Sequence, residues 1–355
     1  MDSGSITAIA SNHFQKSNEF LKTFTVGFDL SSISGLERSF DERAKAEFMS
    51  YKFKTEHYEM VLKSGDMERC LPNFAYHLEE PRVGQSYPNY YAAKLASKFV
   101  KVVLSGVGGD ELFAGYDPHF LAYWRELLKA FKWISLVNEV NSRKTPNKWK
   151  FIANEYIKQY QLDKLPKSVA KKILLKSRQD LQFIDLDWFE NQFEEKFQKD
   201  RSDRKGNTLN EFLREELINN RLKTFLRCED RCAMHHSIEA RTPFSDDHAL
   251  IELALKTKSA SKISKGVSKH ILREAGKAYL PEKVYKREDK IGFATPHNQW
   301  MSALALDKQV NFSESVTPFL NNESLNDSYT KFFINSSGQE NPHAFKYLAF
   351  VEWIT

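Results

Sequence analysis

The segment KVVLSGVGGDELFAGY, residues 101–116, constrains the fold more than any other part of the chain. A compact β-branched run passes directly into Ser105, Gly106, Gly108 and Gly109, then into the acidic pair Asp110 and Glu111. An apolar run without polar alternation predicts a strand covered on both faces, the habit of parallel sheets. Two further strands are predicted upstream, at residues 23–28 (TFTVGF) and 57–62 (HYEMVL). DERAKAEFMSYKF predicts an amphipathic helix with Ala44, Phe48 and Met49 on its apolar face. YPNYYAAKLASKF predicts another, with Pro88 in its first turn. Strand, helix, strand, helix, strand is the order of an α/β fold with a doubly wound parallel sheet.

Beyond residue 120 the texture changes. Helical patterns rich in Lys, Glu and Leu dominate, dividing the chain into an α/β core (1–120) and a mainly helical remainder (121–355). Polar stretches at 143–150 and 199–207 predict surface connections. Residues 311–341 are rich in Ser and Asn, and an apolar helix is predicted to close the chain.

The 52 basic residues exceed the 47 acidic ones by too little to call for nucleic acid. The basic clusters at 143–150 and 171–178 read as solvated helix faces. An RNA-binding module would need aromatics interleaved with a dense basic stripe, which is not found. Three cysteines, Cys70, Cys228 and Cys232, suit a reducing cytoplasm better than a disulfide scaffold. No apolar run reaches bilayer length and the first residues lack a signal-peptide pattern, so a cytoplasmic protein away from membranes is expected.

Four segments carry chemistry. The glycine loop follows a strand, where ligands of parallel sheets bind. Its free N–H groups suit a phosphate, and Asp110 suits a Mg²⁺ bridging phosphate oxygens. A glycine turn capped by Asp110 is the equally weighted alternative. Met1-Asp2-Ser3 leads into a helical pattern and by itself reads as a cap. Residues 228–255 hold Glu229, Asp230, Arg231, Glu239, Arg241, Asp246 and Asp247 amid apolar residues, charges that must be paired or act on a ligand. A metal site from Cys228, Cys232 and His235 or His236 is the weaker reading of that segment. Finally, Lys265 and Lys269 flank Gly266 at a predicted helix start reading through Leu272 and Tyr279, where an anion would be welcome. A solvated lysine pair is the alternative there.

In order and approximate spacing, these segments resemble the synthetase domain of the asparagine synthetase family, an N-type ATP pyrophosphatase with an adenine-nucleotide α-hydrolase-like fold. Asp2 and Ser3 match the end of its SGGxDS loop, residues 22–28 its KTFxVGF strand and residues 105–116 its SGxGGDELFxGY loop. Residues 230–246 match its DRxxMxxSxExRxPFxD block, and residues 266–274 and 280–282 its closing motifs. The resemblance covers roughly residues 1–300 and implies that the chain returns to the active site near 228–300.

The resemblance further implies a ligase that adenylates the side-chain carboxylate of aspartate and transfers ammonia to give asparagine, with ATP and Mg²⁺. Asp2 and Asp110 would share the Mg²⁺. Ser3, Ser105, Gly106, Gly108 and Gly109 would line the phosphates, Val26 would touch the adenine or ribose, and Lys269 would neutralise pyrophosphate. Lys269 and Asp110 are the catalytic candidates. Val107 stands where the familiar asparagine synthetases carry Glu, so it marks substrate specificity. It keeps alive a relative acting on another carboxylate in a sugar or peptide pathway.

The ammonia would come from a glutaminase domain that this chain does not contain, and the reading leaves room for a homodimer. The resemblance also sets Met1 inside the ATP loop, after the strand central to such a sheet. Strands 23–28 and 101–104 are therefore expected to stand farther apart than the roughly 4.8 Å of direct neighbours. The chain alone is expected to be poorly soluble and inactive, and a nucleotide-binding protein without turnover is the reading from another class.

Overall fold

The computed structural model describes residues 1–29, 31, 41–80, 87–144, 149, 208–288, 349 and 352–353. The expectations at 171–178, 199–207 and 311–341, and most of the closing helix, lie outside the described residues.

Strand β1 (Lys22–Phe28) pairs in parallel with β2 (Glu56–Leu62), in a register that runs from Lys22 opposite Glu56 to Phe28 opposite Leu62. Aromatic and β-branched residues suit this pleated surface. Phe24 stacks on Tyr58 and Tyr58 on Phe99, with centroids 5.7 and 3.8 Å apart. Helix α1 (Asp2–Lys16) precedes the pair and α2 (Arg43–Phe53) connects its strands. The predicted apolar face of α2 does not become core, since none of its residues is fully buried. Phe48 instead lies beneath the Lys283 ammonium, 5.5 Å from its ring centroid.

Helices α3 (Ser64–Leu78) and α4 (Tyr87–Ala96) cover β1 and β2. The α3 stripe Met67, Cys70, Leu71, Phe74, Ala75 and Leu78 repeats at helical spacing and is fully buried. It meets Val26, Phe28, Leu62, Tyr87, Tyr90 and Tyr91 in the largest apolar cluster.

Strand β3 (Val102–Leu104) leads into α5 (Gly109–Phe113), α6 (Asp117–Lys129) and α7 (Trp133–Ser142). After the undescribed stretch come α8 (Leu209–Ile218), α9 (Arg221–His235), β4 (Glu239–Arg241), α10 (Pro243–Asp246) and α11 (His248–Lys256). Three short helices, α12 (Ser259–Lys262), α13 (His270–Gly276) and α14 (Glu282–Tyr285), follow. Helix α8 opens on a capping box in which Glu211 N–H donates to Thr208 Oγ1 and Thr208 N–H to Glu211.

The α/β class and the parallel pairing are observed, and the doubly wound sheet only in part: among the described residues there are two parallel pairs, β1–β2 and β3–β4. One expectation is corrected. Strand β3 is not covered on both faces: Val102 is 43% and Leu104 49% exposed. It pairs on one side with β4, Val103 opposite Ala240, so only its inward residue gains cover. Among the described residues β1 and β3 share no ladder.

Elements from the two sides of residue 120 meet: β4 completes the β3 pair and α9 packs on α3 and α4. No described helix is long and apolar enough to cross a membrane.

Where α9 ends, His235 and His236 meet His77 and Tyr90. The His77 and His235 ring centroids lie 4.0 Å apart, and His236 stands 4.5 Å from Tyr90. Burial, helped by neighbouring His235 and Lys94, pushes His236 down to about 4. The unfolded chain therefore binds the proton more readily. The contribution is complete above the ordinary histidine value of about 6.5 and is lost as pH falls from there towards 4. His236→Phe should flatten the loss of stability over that window. Urea midpoints at several pH values check this, and equal slopes in parent and variant would contradict it.

Candidate active site

The loop after β3 begins as an extension of the sheet. Ser105 N–H donates to Arg241 O at 2.9 Å, one residue past the ladder. The backbone then turns at Gly108, where φ is +98°, a conformation that glycine adopts without strain. Val107 N–H donates to Ser105 Oγ at 3.3 Å across the turn. Helix α5 follows, with Leu112 and Phe113 buried against Phe244, Ala254 and Leu272.

The start of α1 sits directly on this loop. A Cβ added to Gly109 would lie 2.7 Å from Asp2 Cγ, and one at Gly106 would lie 2.7 Å from Ser3 N. Side chains at 106 and 109 would push Asp2 and Ser3 away, which is the physical reason for glycine there.

Lys269 completes the cluster. Its ammonium donates to Asp2 Oδ2 and stands 2.7 Å from Asp110 Oδ1. The Lys269 side chain is only 7% exposed, so the ion pairs are shielded from water. Burial alone would lower the Lys269 pKa, but Asp2 and Asp110 together raise it above the ordinary lysine value.

The backbone bearing Lys269 is held from several sides. Lys269 N–H donates to Phe113 O at 3.1 Å. Glu139 accepts the N–H groups of Lys265 and Gly266 at 2.8 and 2.9 Å. Arg273 binds the carbonyls of Ser268 and Tyr285 at 2.7 and 2.8 Å. These contacts offset the left-handed backbone of Lys269, φ +54°, a conformation that costs about 1–3 kcal/mol in a non-glycine residue. Lys269 stands at the expected helix start as the N-cap of α13, while Lys265 lies four residues before it.

Two carboxylates meet one ammonium here. Asp2 Oδ1 is shielded from solvent and has no hydrogen-bond partner among the described residues. Mg²⁺ typically takes one or two carboxylates and fills its shell with water and substrate phosphate oxygens. Asp2 and Asp110 fit that demand. Among the described residues no group of three or more His, Cys, Asp or Glu side chains gathers as a metal cage. Cys228 and Cys232 are buried in the α9 interface instead.

Sequence comparison bears on the same residues. A model of asparagine synthase matches residues 1–354. The chain belongs to the asparagine synthase family. It is 27% identical over 319 residues to asparagine synthetase (glutamine-hydrolyzing) 1 of Bacillus subtilis, covering 85% of this chain and 46% of that protein. It is similarly 27% identical over 314 residues to a putative asparagine synthetase (glutamine-hydrolyzing) of Mycobacterium tuberculosis, covering 85% and 45%. A putative asparagine synthetase (glutamine-hydrolyzing) 2 of Methanocaldococcus jannaschii is 34% identical over 110 residues, 31% of this chain. The chain spans about half the length of the first and second of these relatives.

Of the candidate residues, Asp2, Ser3, Gly106, Gly109, Asp110 and Lys269 come together, with Ser105, Val107 and Gly108 on the same loop. Val26 is buried in the cluster beneath α3 and α4. Most charges flagged between residues 229 and 247 are engaged structurally. Arg231 pairs with Glu79 at 2.8 Å and Arg241 with Glu239 at 2.8 Å. Asp246 accepts from Thr242 N–H and Oγ1 at 3.0 Å, while Asp247 caps α11.

Sequence reasoning missed the Glu139 clamp, because its carboxylate lies 126 residues from Lys265 on an unremarkable helix face. It also missed Tyr116, whose hydroxyl donates to the buried Glu111 at 2.9 Å beneath the Arg221 guanidinium.

Removing one partner of a buried ion pair typically costs about 3–5 kcal/mol, because the other charge is left unpaired. Lys269→Met should destabilise the protein by about that amount, measured by urea unfolding at neutral pH. A loss below about 1 kcal/mol, the range of an exposed pair, would show that the cluster is solvated in solution.

Proposed function

We propose that the protein is an ATP-dependent amide ligase that activates a carboxylate as its acyl-adenylate and transfers ammonia to it. The observation that carries this reading is the convergence of Asp2 and Asp110 on Lys269 beside the 105–109 loop. Backbone N–H groups in that loop suit phosphate oxygens, and the two carboxylates suit a divalent cation. Magnesium, when bound, would neutralise phosphate charge, with Asp2 and Asp110 as its protein ligands.

In the first half-reaction the substrate carboxylate attacks the α-phosphorus of ATP, and the bond to the β-phosphate breaks to release pyrophosphate. The Lys269 ammonium neutralises charge on that leaving group, a means of electrostatic stabilisation that works best away from water. Ammonia then attacks the acyl carbon. The C–N bond forms, the bond to AMP oxygen breaks, and nitrogen loses a proton.

Aspartate is the substrate we propose first, on the strength of the relatives' names. Ammonia would come from glutamine hydrolysis, as those names also suggest. A reaction drawing on ATP and free amino acids belongs in the cytoplasm. One observation favours a second substrate reading: the half-buried Val107 places an apolar group on the loop. A relative acting on a less polar carboxylate would use it for contact.

Pyrophosphate should exchange into ATP only when the correct carboxylic acid is present, and Asp110→Asn should reduce that exchange at least about a hundredfold. Release of ADP and orthophosphate would overturn the adenylation reading. Val107→Glu separates the two substrates. Preserved or increased aspartate-dependent pyrophosphate release supports aspartate, whereas loss of the native activity supports the apolar alternative.

A further inference from the structure

The backbone that leads to Lys269 follows a path that needs support. Lys265, Gly266 and Lys269 all have positive φ, at +52°, +71° and +54°. Two of the three are not glycine, so surrounding contacts must hold the loop in this conformation.

One side chain makes two of those contacts. Glu139 on α7 accepts the N–H groups of Lys265 and Gly266 at 2.8 and 2.9 Å. Two successive backbone N–H groups thus converge on one carboxylate, as they do in small anion-binding nests. Bonds to a charged acceptor are stronger than those between neutral groups.

The backbone of α7 presses on the same point. A Cβ added to Gly266 would lie 2.4 Å from Arg143 N and 2.6 Å from Ser142 C. Glu139, Ser142 and Arg143 share one side of the helical path, so α7 bears on the loop twice. The helix itself is firmly seated. Leu136 and Val140 are buried with Trp124 and Leu127 of α6 and Leu213 of α8, in the cluster that also takes Ile263, just before the loop.

From Ser264 to Lys269 the hold is continuous. Ser264 and Val267 exchange N–H···O bonds at 3.1 and 3.0 Å. Ser268 O accepts from Arg273 at 2.7 Å, and Lys269 N–H donates to Phe113 O at 3.1 Å. Phe113 ends α5, the helix that bears Asp110. A shift at Lys265 and Gly266 is therefore passed along a short braced loop to the Lys269 ammonium and its pairs with Asp2 and Asp110.

We infer that Glu139 is a positioning residue of the ligase reaction, fixing the Lys269 ammonium where charge develops on the leaving pyrophosphate. It acts through Lys269, without touching substrate. The assignment rests on the ligase reading and extends it to a helix outside the four segments that carry the chemistry. Misplacing a catalytic group by about 1 Å can cost about a hundredfold in rate.

The test uses two variants of the full-length protein that disturb this contact from opposite sides. Glu139→Gln keeps the size of the side chain but leaves one acceptor oxygen for two N–H groups. Gly266→Ala pushes the loop away from α7. Carboxylate-dependent pyrophosphate exchange is measured with aspartate and with a less polar acid, and backbone amide hydrogen exchange is measured without ligands. The maximal rate of pyrophosphate exchange should fall by more than about tenfold in both variants, while KM for the acid changes by less than about threefold. The amides of Lys265, Gly266 and Lys269 should exchange hydrogen at least about tenfold faster, with the Leu112 amide of α5 unaffected.

A fall in rate matched by a rise in KM for the acid would overturn the assignment, because the site as a whole would then be disturbed. Faster hydrogen exchange confined to Lys265 and Gly266 would overturn it too, since the clamp would hold only its own partners. Undiminished pyrophosphate exchange would do the same. If the unsubstituted protein exchanges pyrophosphate with neither acid, the ligase reading itself fails. The Lys269 amide then decides for Glu139: lost protection supports the positioning role, and retained protection overturns it.

Discussion

The buried contact of Lys269 with Asp2 and Asp110 is the constraint on which the site depends. It joins residues up to 267 positions apart in the chain. Removing three charges from water is favourable only when they are placed to satisfy one another. Asp2 must therefore start α1 where the 105–109 loop can receive it, and Lys269 must leave its loop in a left-handed conformation. Glu139, Arg273 and the carbonyl of Phe113 hold that loop in place. A charge cluster of this kind specifies a geometry more than it stabilises a fold.

The scaffold brings these pieces together through a second long-range device. Strand β4 and helix α9 come from the later part of the chain, yet β4 pairs with β3 and α9 packs on α3 and α4. Cys228 and Cys232 enter the same apolar cluster as Phe74 and Tyr91. Burying each large side chain contributes about 1.5–3 kcal/mol, so this interface fixes the orientation of α9 against the loop.

Much of the fold was legible because local patterns act locally. The alternating and β-branched runs of β1 and β2 required only neighbouring residues to be recognised, as did the stripe along α3 and the glycine turn at Gly108. The resemblance, carried by short motifs in order, also marked Asp2, Asp110 and Lys269 before their contacts were known. Less legible was what each element would meet. An apolar run suggests burial but does not reveal whether both faces are covered, so β3 was expected deeper than it lies. The face of α2 formed by Ala44, Phe48 and Met49 likewise failed to become core.

The sequence by itself determined the family, the parallel strands β1 and β2, and the identity of the residues around the glycine loop. Those properties follow from side-chain chemistry and near-neighbour spacing. Only the tertiary structure decided which charges share a partner. Arg231, Arg241, Asp246 and Asp247 became surface pairs and caps, while Lys269 was buried between two carboxylates and Glu229 Oε2 was left without a partner among the described residues. A charge carries the same sequence letter in water or in the interior. Its energetic meaning comes from the solvent it loses and the groups it faces, and both are set by residues far away in the chain.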